Sequence, residues 1–345
     1  NTRLQVEHPV TELITGLDLV ALQISVAQGE PLGIQQSAVE LRGHAIEVRL
    51  YTEDPAADFL PAAGPVDLWL PASGPDIRID AGITTGQHIS PFYDPMVAKI
   101  IGYGTTREAA RLRTIEALQR TVLFGPPNNR QFLLDCLRRE CFVEGRATTG
   151  FIAEEFTSSD LKPTLPSFAQ CAIAAVIDLS LTYQEHHHSS TTVSSRLKDW
   201  TNAGALVSRK QYLFDSQVYD LSVSPHTDGG GYRVYDGEQS VRVEVLSMEA
   251  PSATVSLDDS LVQVYFMSIG RGQLHCLVDG YGAFYRDMIL LEGVSKDRVG
   301  DGRVVAPMHG SLLEVAVAVG DSVSNGQLLA VLEAMKMHYE IVAEV

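Results

Sequence analysis

Apolar residues in positions 1–155 recur with two different periods, which predicts a mixture of helices and strands. Residues 17–27 carry apolar side chains at helical spacing, and Gly29 and Pro31 then form a stop signal. Residues 44–50 instead alternate between apolar and polar, which is typical of a strand with one charged row. This part of the chain is therefore expected to be α+β.

Two more helices are predicted further along this part. Thr105 and Glu108 have the spacing of a capping box, and the buried stripe of the helix behind them would consist of Ala109, Leu112, Ile115 and Leu118. The turn at residues 125–128 should precede a second helix, whose buried residues would be Phe132, Leu133 and Leu137. Each helix would then have one buried and one exposed face.

The pattern weakens after about residue 156, where Thr, Ser and Pro become frequent, and this change predicts a domain boundary. Residues 171–181 fit one helix. The following residues 185–195 hold three histidines and many Ser and Thr residues without a packable face, so we expect a mobile loop there. A metal site at residues 186–188 is disfavoured, because no further side chain lies at ligand spacing.

Short alternating segments dominate residues 205–291 and are separated by turns rich in Gly and Asp, such as residues 228–231. The predicted strands are 217–223, 232–235, 241–246, 253–257, 261–267, 273–278 and 283–286. This spacing is typical of an antiparallel barrel or sandwich. Residues 303–345 are again strand-like and should form a small unit of their own.

Composition narrows the class of protein and the range of its partners. A chain of 345 residues exceeds one typical domain of about 100 to 200 residues, so two or three units are expected. The net charge of −17 would repel nucleic acid and anionic membranes, and no apolar run reaches the roughly 18 residues of a membrane span. The four cysteines lack CxxC spacing, which argues against a zinc site or a disulfide framework and favours an intracellular setting.

A lysine between two predicted strands is the first candidate for chemistry. Residues 328–332 and 338–342 read as strands, and the segment AMKM lies between them at residues 334–337. At a hairpin tip, Lys336 would be accessible on a rigid base, as an enzyme that acylates its amine requires. The alternative is an exposed lysine between two methionines of the core.

Three segments near the end of the chain, APMHG at 306–310, VGDSV at 319–323 and EAMKM at 333–337, resemble the biotinyl carrier domain of biotin-dependent carboxylases. The resemblance implies a flattened β-barrel with biotin attached to Lys336 by a biotin protein ligase. Lipoyl domains share this fold, but the Met-Lys-Met form favours biotin. Because few residues follow Lys336, we expect a partial barrel that is a poor substrate for the ligase.

Residues 1–12, NTRLQVEHPVTE, resemble the active-site strand of biotin carboxylase, an ATP-grasp ligase. By this resemblance Asn1 contacts a catalytic Mg²⁺ or Mn²⁺ ion, and Glu7 is the base that deprotonates bicarbonate. Arg3 would bind bicarbonate and stabilise charge that develops on biotin, while Gln5 and the Val6 backbone hold bicarbonate. Alternate residues of an extended strand share one face, so these side chains would form one polar row. The alternative is an exposed strand face on which Arg3 and Glu7 pair.

Two further segments resemble the same family. Residues 43–49, GHAIEVR, match a segment in which the arginine contacts biotin and bicarbonate, and the resemblance gives that role to Arg49. The alternative for Arg49 is a structural ion pair. Residues 90–99, SPFYDPMVAK, also match, with Tyr93 and Asp94 as structural neighbours of the site.

The resemblance as a whole implies an α+β multidomain chain. Residues 1–156 would be the C-terminal part of an ATP-grasp biotin carboxylase, and residues 298–345 a partial all-β biotinyl domain. Residues 157–297 would be an antiparallel β-barrel with a helix, which contacts a carboxyltransferase β subunit. The barrel is assigned from its place in the chain and its strand content.

The implied function is the ATP-dependent carboxylation of carrier-bound biotin by bicarbonate, for transfer to an acyl-CoA on the partner subunit. Propionyl-, 3-methylcrotonyl- and geranyl-CoA are the candidate acyl-CoAs, and the expected location is the cytoplasm, or the mitochondrial matrix in a eukaryote. Both ends of the sequence look cut, and the family's ATP-binding residues would precede Asn1, so we expect this chain alone to be inactive. The alternative is a biotin-carrying or lipoyl-like carrier and interaction module without catalytic activity.

Overall fold

A computed structural model of the chain describes residues 3–189, 194, 199–202, 206–226, 230–291, 304, 311–324, 326–334 and 337–343. The chain divides into two compact units. Unit 1 comprises Asn1–Pro163 together with Arg303–Val345, and unit 2 comprises Thr164–Gly302.

Unit 1 combines six helices with twelve strands in its described residues. The helices are α1 (His8–Thr15), α2 (Leu19–Ala27), α3 (Arg107–Arg120), α4 (Arg130–Arg138), α5 (Glu140–Val143) and α6 (Phe151–Glu155). The first nine strands are β1 (His44–Tyr51), β2 (Glu53–Asp54), β3 (Leu60–Pro61), β4 (Gly64–Pro65), β5 (Leu68–Leu70), β6 (Ile77–Ala81), β7 (His88–Ile89), β8 (Met96–Gly104) and β9 (Val122–Phe124). Strands β1, β8 and β6 form a three-stranded antiparallel sheet in that order.

The two faces of this sheet differ because the strand sequences alternate. One face is apolar and packs against α3, burying Leu50 and Ile100 completely. Glycines in β8 allow the helix to lie very close. A Cβ added at Gly102 would stand 2.5 Å from the backbone nitrogen of Thr114, and one at Gly104 would stand 2.5 Å from that of Ala110. The opposite face carries charged side chains, and α1 lies over it.

The predicted strand at residues 44–50 is confirmed as β1, but the interpretation of residues 1–7 as an extended strand is wrong for the residues described. The amides of His8 and Val10 bond the carbonyls of Gln5 and Glu7, which makes turns that lead into α1. Pro9 favours this helix start, since its missing N–H is not needed in the first turn. No described strand lies beside residues 3–7 to hold them extended.

The predicted helix at 17–27 is shorter than expected. Gly16 is in the left-handed region, and the Asp18 side chain accepts a hydrogen bond from the Ala21 amide, so α2 begins at Leu19. The N-cap of α3 is Thr106 rather than Thr105, and Glu108 pairs with Arg111 instead of closing a capping box. As a result the buried stripe is rotated: Ala110, Thr114, Ala117 and Leu118 are buried, while Leu112 is exposed.

Unit 2 is an antiparallel barrel around one helix, as the alternating segments indicated. Its helices are α7 (Phe168–Ser189) and α8 (Met288–Leu291). Its strands are β10 (Ser208–Phe214), β11 (Gln217–Pro225), β12 (Tyr232–Asp236), β13 (Gln239–Glu249), β14 (Ser252–Leu257), β15 (Ser260–Gly270), β16 (Gln273–Val278) and β17 (Tyr281–Arg286). They pair in sequence order, and a bridge between Tyr212 and Asp287 nearly closes the barrel.

The position of α7 inside the barrel explains why its sequence is apolar on every side. Consecutive residues from Cys171 to Ile177 are all fully buried, because strands surround α7 on several sides and leave it no exposed face. The helix continues to Ser189, so the expected mobile loop is wrong for residues 185–189. Exposed Glu and His residues are compatible with a helix that extends past its packed part.

Two aspartates and a lysine are buried together where the barrel closes. Lys210 of β10 donates to Asp178 of α7 and to Asp287, which follows β17, at 3.1 Å in the second case. Asp287 also accepts hydrogen bonds from the backbone amides of Gln211 and Ile289. We call Asp178, Lys210 and Asp287 the seam cluster, since it joins both ends of the sheet to the central helix.

The end of the chain adds a small antiparallel sheet of β18 (Ser311–Val315), β19 (Leu328–Ala334) and β20 (Met337–Val342). These strands confirm the strand-like reading of the last segment. Leu312 and Val315 are more than half exposed, as expected for a partial barrel, whereas Leu332 and Ala343 are buried.

Among the residues that the structure describes, no single helix has the length and apolar character needed to cross a membrane. Helices α1 and α2 meet the length and composition criteria only when they are taken together, and they are bent by 102° at their junction.

Candidate functional site

The charged face of the β1–β8–β6 sheet is the candidate site. One row across β1, β8 and β6 consists of Arg49, Lys99 and Asp80. The next row consists of Glu47, Ile101 and Arg78 in the same strand order. The side chains of one row project to the same side of a sheet, so these five ionisable groups share one surface. We call them the charged face.

A chain of ion pairs occupies one side of the charged face. Arg78 binds Glu12 of α1 at 2.7 Å and Asp80 at 2.9 Å, and Lys99 approaches Asp80 at 3.7 Å. These contacts, with Asp80 first, raise the pKa of Arg78 above its ordinary value. The second oxygen of Glu12 accepts a hydrogen bond from the Leu19 amide, so Glu12 ties α1 and the start of α2 to the sheet.

The carboxylate of Glu47 has fewer hydrogen-bond partners than the charged groups beside it. Its Oε2 atom is buried and has no hydrogen-bond partner among the described residues. Burial raises the pKa of Glu47 to about 7, opposed by the charges of Lys99 and Arg49 and assisted by those of Asp80 and Glu7. A glutamate in this environment exchanges its proton near neutral pH.

The segment before α1 brings Glu7 to this face. Glu7 is exposed at the N-cap of α1, and its charge is near enough to Glu47 to raise the pKa of that residue. Arg3 is also exposed, and its carbonyl accepts a hydrogen bond from Gln23 of α2 at 3.4 Å. The two residues form no salt bridge with each other, so the pairing alternative for Arg3 and Glu7 is not what the structure has. Gln5 and Val6 lie between them in the turn that begins α1.

Arg49 is exposed at the end of β1 and forms no salt bridge with any described residue. Its backbone is fixed by Asn129, a buried residue just before α4. The Asn129 amide donates to the Arg49 carbonyl at 3.3 Å and to Glu53 at 2.8 Å, and its oxygen accepts from the Tyr51 amide at 3.0 Å. The sequence showed Asn129 only as the residue after a turn, so this role was missed.

Glu47 was missed as well. The sequence placed it in the charged row of β1, but nothing in that pattern distinguished it from an exposed glutamate. The available signal was its position two residues before Arg49, on the same side of the strand.

Two of the residues expected from the sequence, Asn1 and Lys336, lie outside the described residues. The strands that flank Lys336 are paired up to Ala334 opposite Met337. Within the described part of the chain, no cluster of three or more His, Cys, Asp or Glu side chains is arranged to hold a metal ion. Tyr93 is exposed, and the Asp94 side chain accepts a hydrogen bond from the Met96 amide at 2.9 Å, which fits a structural part in the turn before β8.

Family models match three segments of the chain. The Biotin carboxylase C-terminal domain matches residues 47–154, a range that includes Glu47 and Arg49. The model described as Biotin-requiring enzyme, of the biotin-lipoyl type, matches residues 302–345, and the Carbamoyl-phosphate synthase L chain, ATP binding domain, matches residues 1–35.

Curated relatives match almost the whole chain. The chain is 32% identical to the mitochondrial propionyl-CoA carboxylase alpha chain of Mus musculus and to the mitochondrial methylcrotonoyl-CoA carboxylase subunit alpha of Rattus norvegicus, over 99% of its length. It is 33% identical to the propionyl-CoA carboxylase alpha chain of Ruegeria pomeroyi, over its full length. The chain spans 48%, 49% and 54% of these proteins, which is about half of each.

Among solved structures, a biotin carboxylase domain of a thermophilic 2-oxoglutarate carboxylase, bound to bicarbonate, is 34% identical with a TM-score of 0.46. That match covers 48% of this chain and 37% of the other. The curated relatives and the two domain matches agree with the motifs at both ends of the sequence. The chain belongs to the family of biotin-dependent acyl-CoA carboxylase α chains, with a biotin carboxylase C-terminal domain, an antiparallel barrel and a small all-β biotinyl domain.

Proposed function

We propose that this chain takes part in the ATP-dependent carboxylation of carrier-bound biotin by bicarbonate. The observation that carries the proposal is that Glu7 and Arg49, far apart in the sequence, both lie near enough to Glu47 for their charges to act on its carboxyl group. The chain is also related over almost its whole length to carboxylase α chains. The chain would supply the base, part of the anion site and the carrier of that reaction. The rest of the nucleotide site would come from a part that the relatives possess and this sequence does not include.

The exposed side chains of this face suit that chemistry. Among the residues that the structure describes, Arg49 has no carboxylate partner, so its guanidinium would be able to hold bicarbonate. Arg3 would add a second positive charge where negative charge develops. Glu7 would accept the proton of the bicarbonate hydroxyl on a carboxylate oxygen, as a general base does. Gln5 and the Val6 backbone would orient the anion from the adjoining turn.

Biotin fits the end of the chain, because the β19–β20 ladder is paired up to the residues on either side of Met335 and Lys336. Lys336 would hold it through an amide formed by a biotin protein ligase, and bound biotin would supply the ureido nitrogen that accepts the carboxyl group. A tether of this kind keeps the reactive group at high effective concentration in two sites. The described residues provide no set of ligands for Mg²⁺ or Mn²⁺. Of this chain's residues, Asn1 is the one that would contact such an ion.

The remaining assignments are proposals of the same kind. Residues 1–156, 157–297 and 298–345 would be the carboxylase part, the linking barrel and the carrier. The barrel would contact a carboxyltransferase β subunit, which binds the acyl-CoA, and propionyl-CoA and methylcrotonoyl-CoA are the substrates that the relatives' names give. The location would be the cytoplasm, or the mitochondrial matrix in a eukaryote, and the names of two relatives support the second alternative.

Replacement of single arginines in the complete protein tests the catalytic assignment. Arg3→Ala should abolish carboxylation while nucleotide binding stays nearly intact, and Arg49→Ala should raise the apparent KM for bicarbonate. Arg42→Ala is the matched control, because Arg42 forms only an exposed pair with Glu40. Loss of nucleotide affinity as large as the loss of turnover in Arg3→Ala would contradict the assignment.

The mass of the purified protein tests the carrier. We expect one biotinyl group, absent from Lys336→Arg. A lipoyl mass on the same residue would contradict biotin. Biotin on Lys336, together with a complete protein that carboxylates no biotin, would leave only a carrier and interaction module.

A further inference from the structure

Glu47 lies on the charged face in the edge strand β1, and packing does not explain why a glutamate is there. It lies opposite Ile101, which is fully buried, and α1 covers it from above. An apolar residue of similar size would fill this place without leaving a carboxylate oxygen unpaired, and a buried charge without a partner is destabilising. The residue is therefore better explained by what its carboxylate does than by packing.

The charged groups around Glu47 differ in the salt bridges that they form. From the other elements, Glu7 and Glu12 come from the start of α1 and α1 itself, Lys99 from β8, and Arg78 and Asp80 from β6. Arg78 is held by Glu12 and Asp80, and Lys99 by Asp80. Arg49 is the cation on this face that has no salt bridge among the residues described.

Arg49 and Glu47 are two residues apart on one side of β1, a separation of about 7 Å. At this distance an ionised Glu47 cancels much of the field of Arg49 at an anion, and it also repels the negative charge of Glu7. A neutral Glu47 leaves Arg49 uncompensated. Because burial raises the pKa of Glu47 to about 7, both states are populated near neutral pH.

We propose that Glu47 is a positioning residue that acts through Arg49 and Glu7: its proton sets how strongly Arg49 holds bicarbonate. The proposal rests on the proposed function and adds a residue to it. In the neutral state the anion site is at full strength. In the ionised state bicarbonate binds more weakly.

The pH dependence of the bicarbonate KM in the complete protein tests this inference. In the wild type, KM should rise about fivefold from pH 6 to pH 8.5, with a midpoint close to 7, as a charge about 7 Å away would produce. In Glu47→Gln the amide stays neutral, so the KM for bicarbonate should remain near its low value at every pH. Glu47→Asp restores an ionisable carboxyl and should restore the rise.

Asp135→Asn is the matched control. Asp135 on α4 is also half-buried with a pKa raised by burial, but its partners are Gln131 and Arg138, away from the charged face. Its KM profile should follow the wild type. A rise in KM that persists in Glu47→Gln would overturn the inference and leave the proposed function standing. Absence of bicarbonate-dependent activity in the wild type would overturn both.

Discussion

The charged face of unit 1 and the seam cluster of unit 2 handle ionic groups in opposite ways. In the seam cluster the side chains of Lys210, Asp178 and Asp287 are at most 8% exposed, and Lys210 is bound by both carboxylates. On the charged face Arg78 and Asp80 are about one-third exposed. In the described part of the chain, Arg49 has no salt bridge and one oxygen of Glu47 has no hydrogen-bond partner. Buried charges whose partners are all in place stabilise one structure. Charges near solvent that lack partners remain able to bind ligands and exchange protons.

The largest expected change in stability comes from removing the lysine of the seam cluster. Lys210→Met leaves two carboxylates buried beside an apolar side chain, and we expect unfolding of unit 2 to become easier by about 3–5 kcal/mol. Chemical denaturation followed by near-UV circular dichroism, which reports the packed tyrosines of the barrel, measures it. Arg209→Met is the neighbouring control on β10, since its pair with Asp220 is exposed and should contribute at most about 1 kcal/mol. Equal losses in the two variants would show that burial does not distinguish these pairs.

The second prediction contrasts a glycine of β8 that lies under α3 with a glycine in open space just after β6. Gly102→Ala places a Cβ 2.5 Å from the Thr114 backbone, which cannot move without shifting α3, and should destabilise unit 1 by about 2–3 kcal/mol. Gly82→Ala has open space around its Cβ and should change stability by less than about 0.5 kcal/mol. Thermal unfolding of both variants checks this. A harmless Gly102→Ala would mean that α3 is not packed tightly on the sheet.

The third prediction concerns the charged face and how the contribution of Glu47 to stability changes with pH. The folded pKa of Glu47, about 7, lies above its ordinary value of 4.5, so between these values the folded state holds a proton that the unfolded state has released. The contribution of Glu47 to stability therefore falls as pH rises from about 4.5 to 7 and is constant above. After allowance for partial solvent screening, the loss should be about 1–2 kcal/mol.

Glu47→Gln should lack this loss, so the variant should be more stable than the wild type at pH 8 and similar to it at pH 4.5. Urea denaturation at the two pH values gives the difference. A variant whose advantage is the same at both would indicate that Glu47 does not titrate in this range.

The smallest predicted effect concerns two tyrosines inside the barrel. The Tyr212 hydroxyl is buried without a partner among the described residues, so Tyr212→Phe should leave stability unchanged or raise it by up to about 1 kcal/mol. The Tyr219 hydroxyl donates to the Pro166 carbonyl at 2.6 Å, so Tyr219→Phe should cost about 1 kcal/mol. Calorimetry of the pair measures both. The opposite order of the two variants would point to a hydrogen bond at Tyr212 that the structure does not have.

The barrel was largely predictable because its strands alternate with a period of two, and seven of its eight strands were expected. The missing strand, β10, contains Arg209, Lys210 and Gln211 in succession, which hides the alternation of buried and exposed positions. Lys210 sits at an inward position of that strand. A lone charge at an inward position, like Asp178 inside an apolar helix, was the signal that a buried ionic partner existed.

The candidate site was only partly predictable. Motifs pointed to Arg49 and Glu7, yet the approach of both to Glu47 depends on α1 packing against β1, which no local pattern describes. The segment before α1 was expected to be a strand because it resembles an active-site strand, and its alternating polar residues fitted that expectation. Alternation indicates a strand only where a neighbouring strand can complete the hydrogen bonds, and among the residues described none lies there.

The seam cluster also constrains how this barrel can change over generations. Replacement of Lys210 alone leaves two carboxylates in the interior without a cation, so a path that loses the lysine first passes through a poorly folded intermediate. Replacement of either aspartate alone leaves a one-to-one ion pair. Lineages should therefore keep the lysine for as long as both aspartates remain. A set of related barrels in which the lysine is lost while both aspartates persist would contradict this.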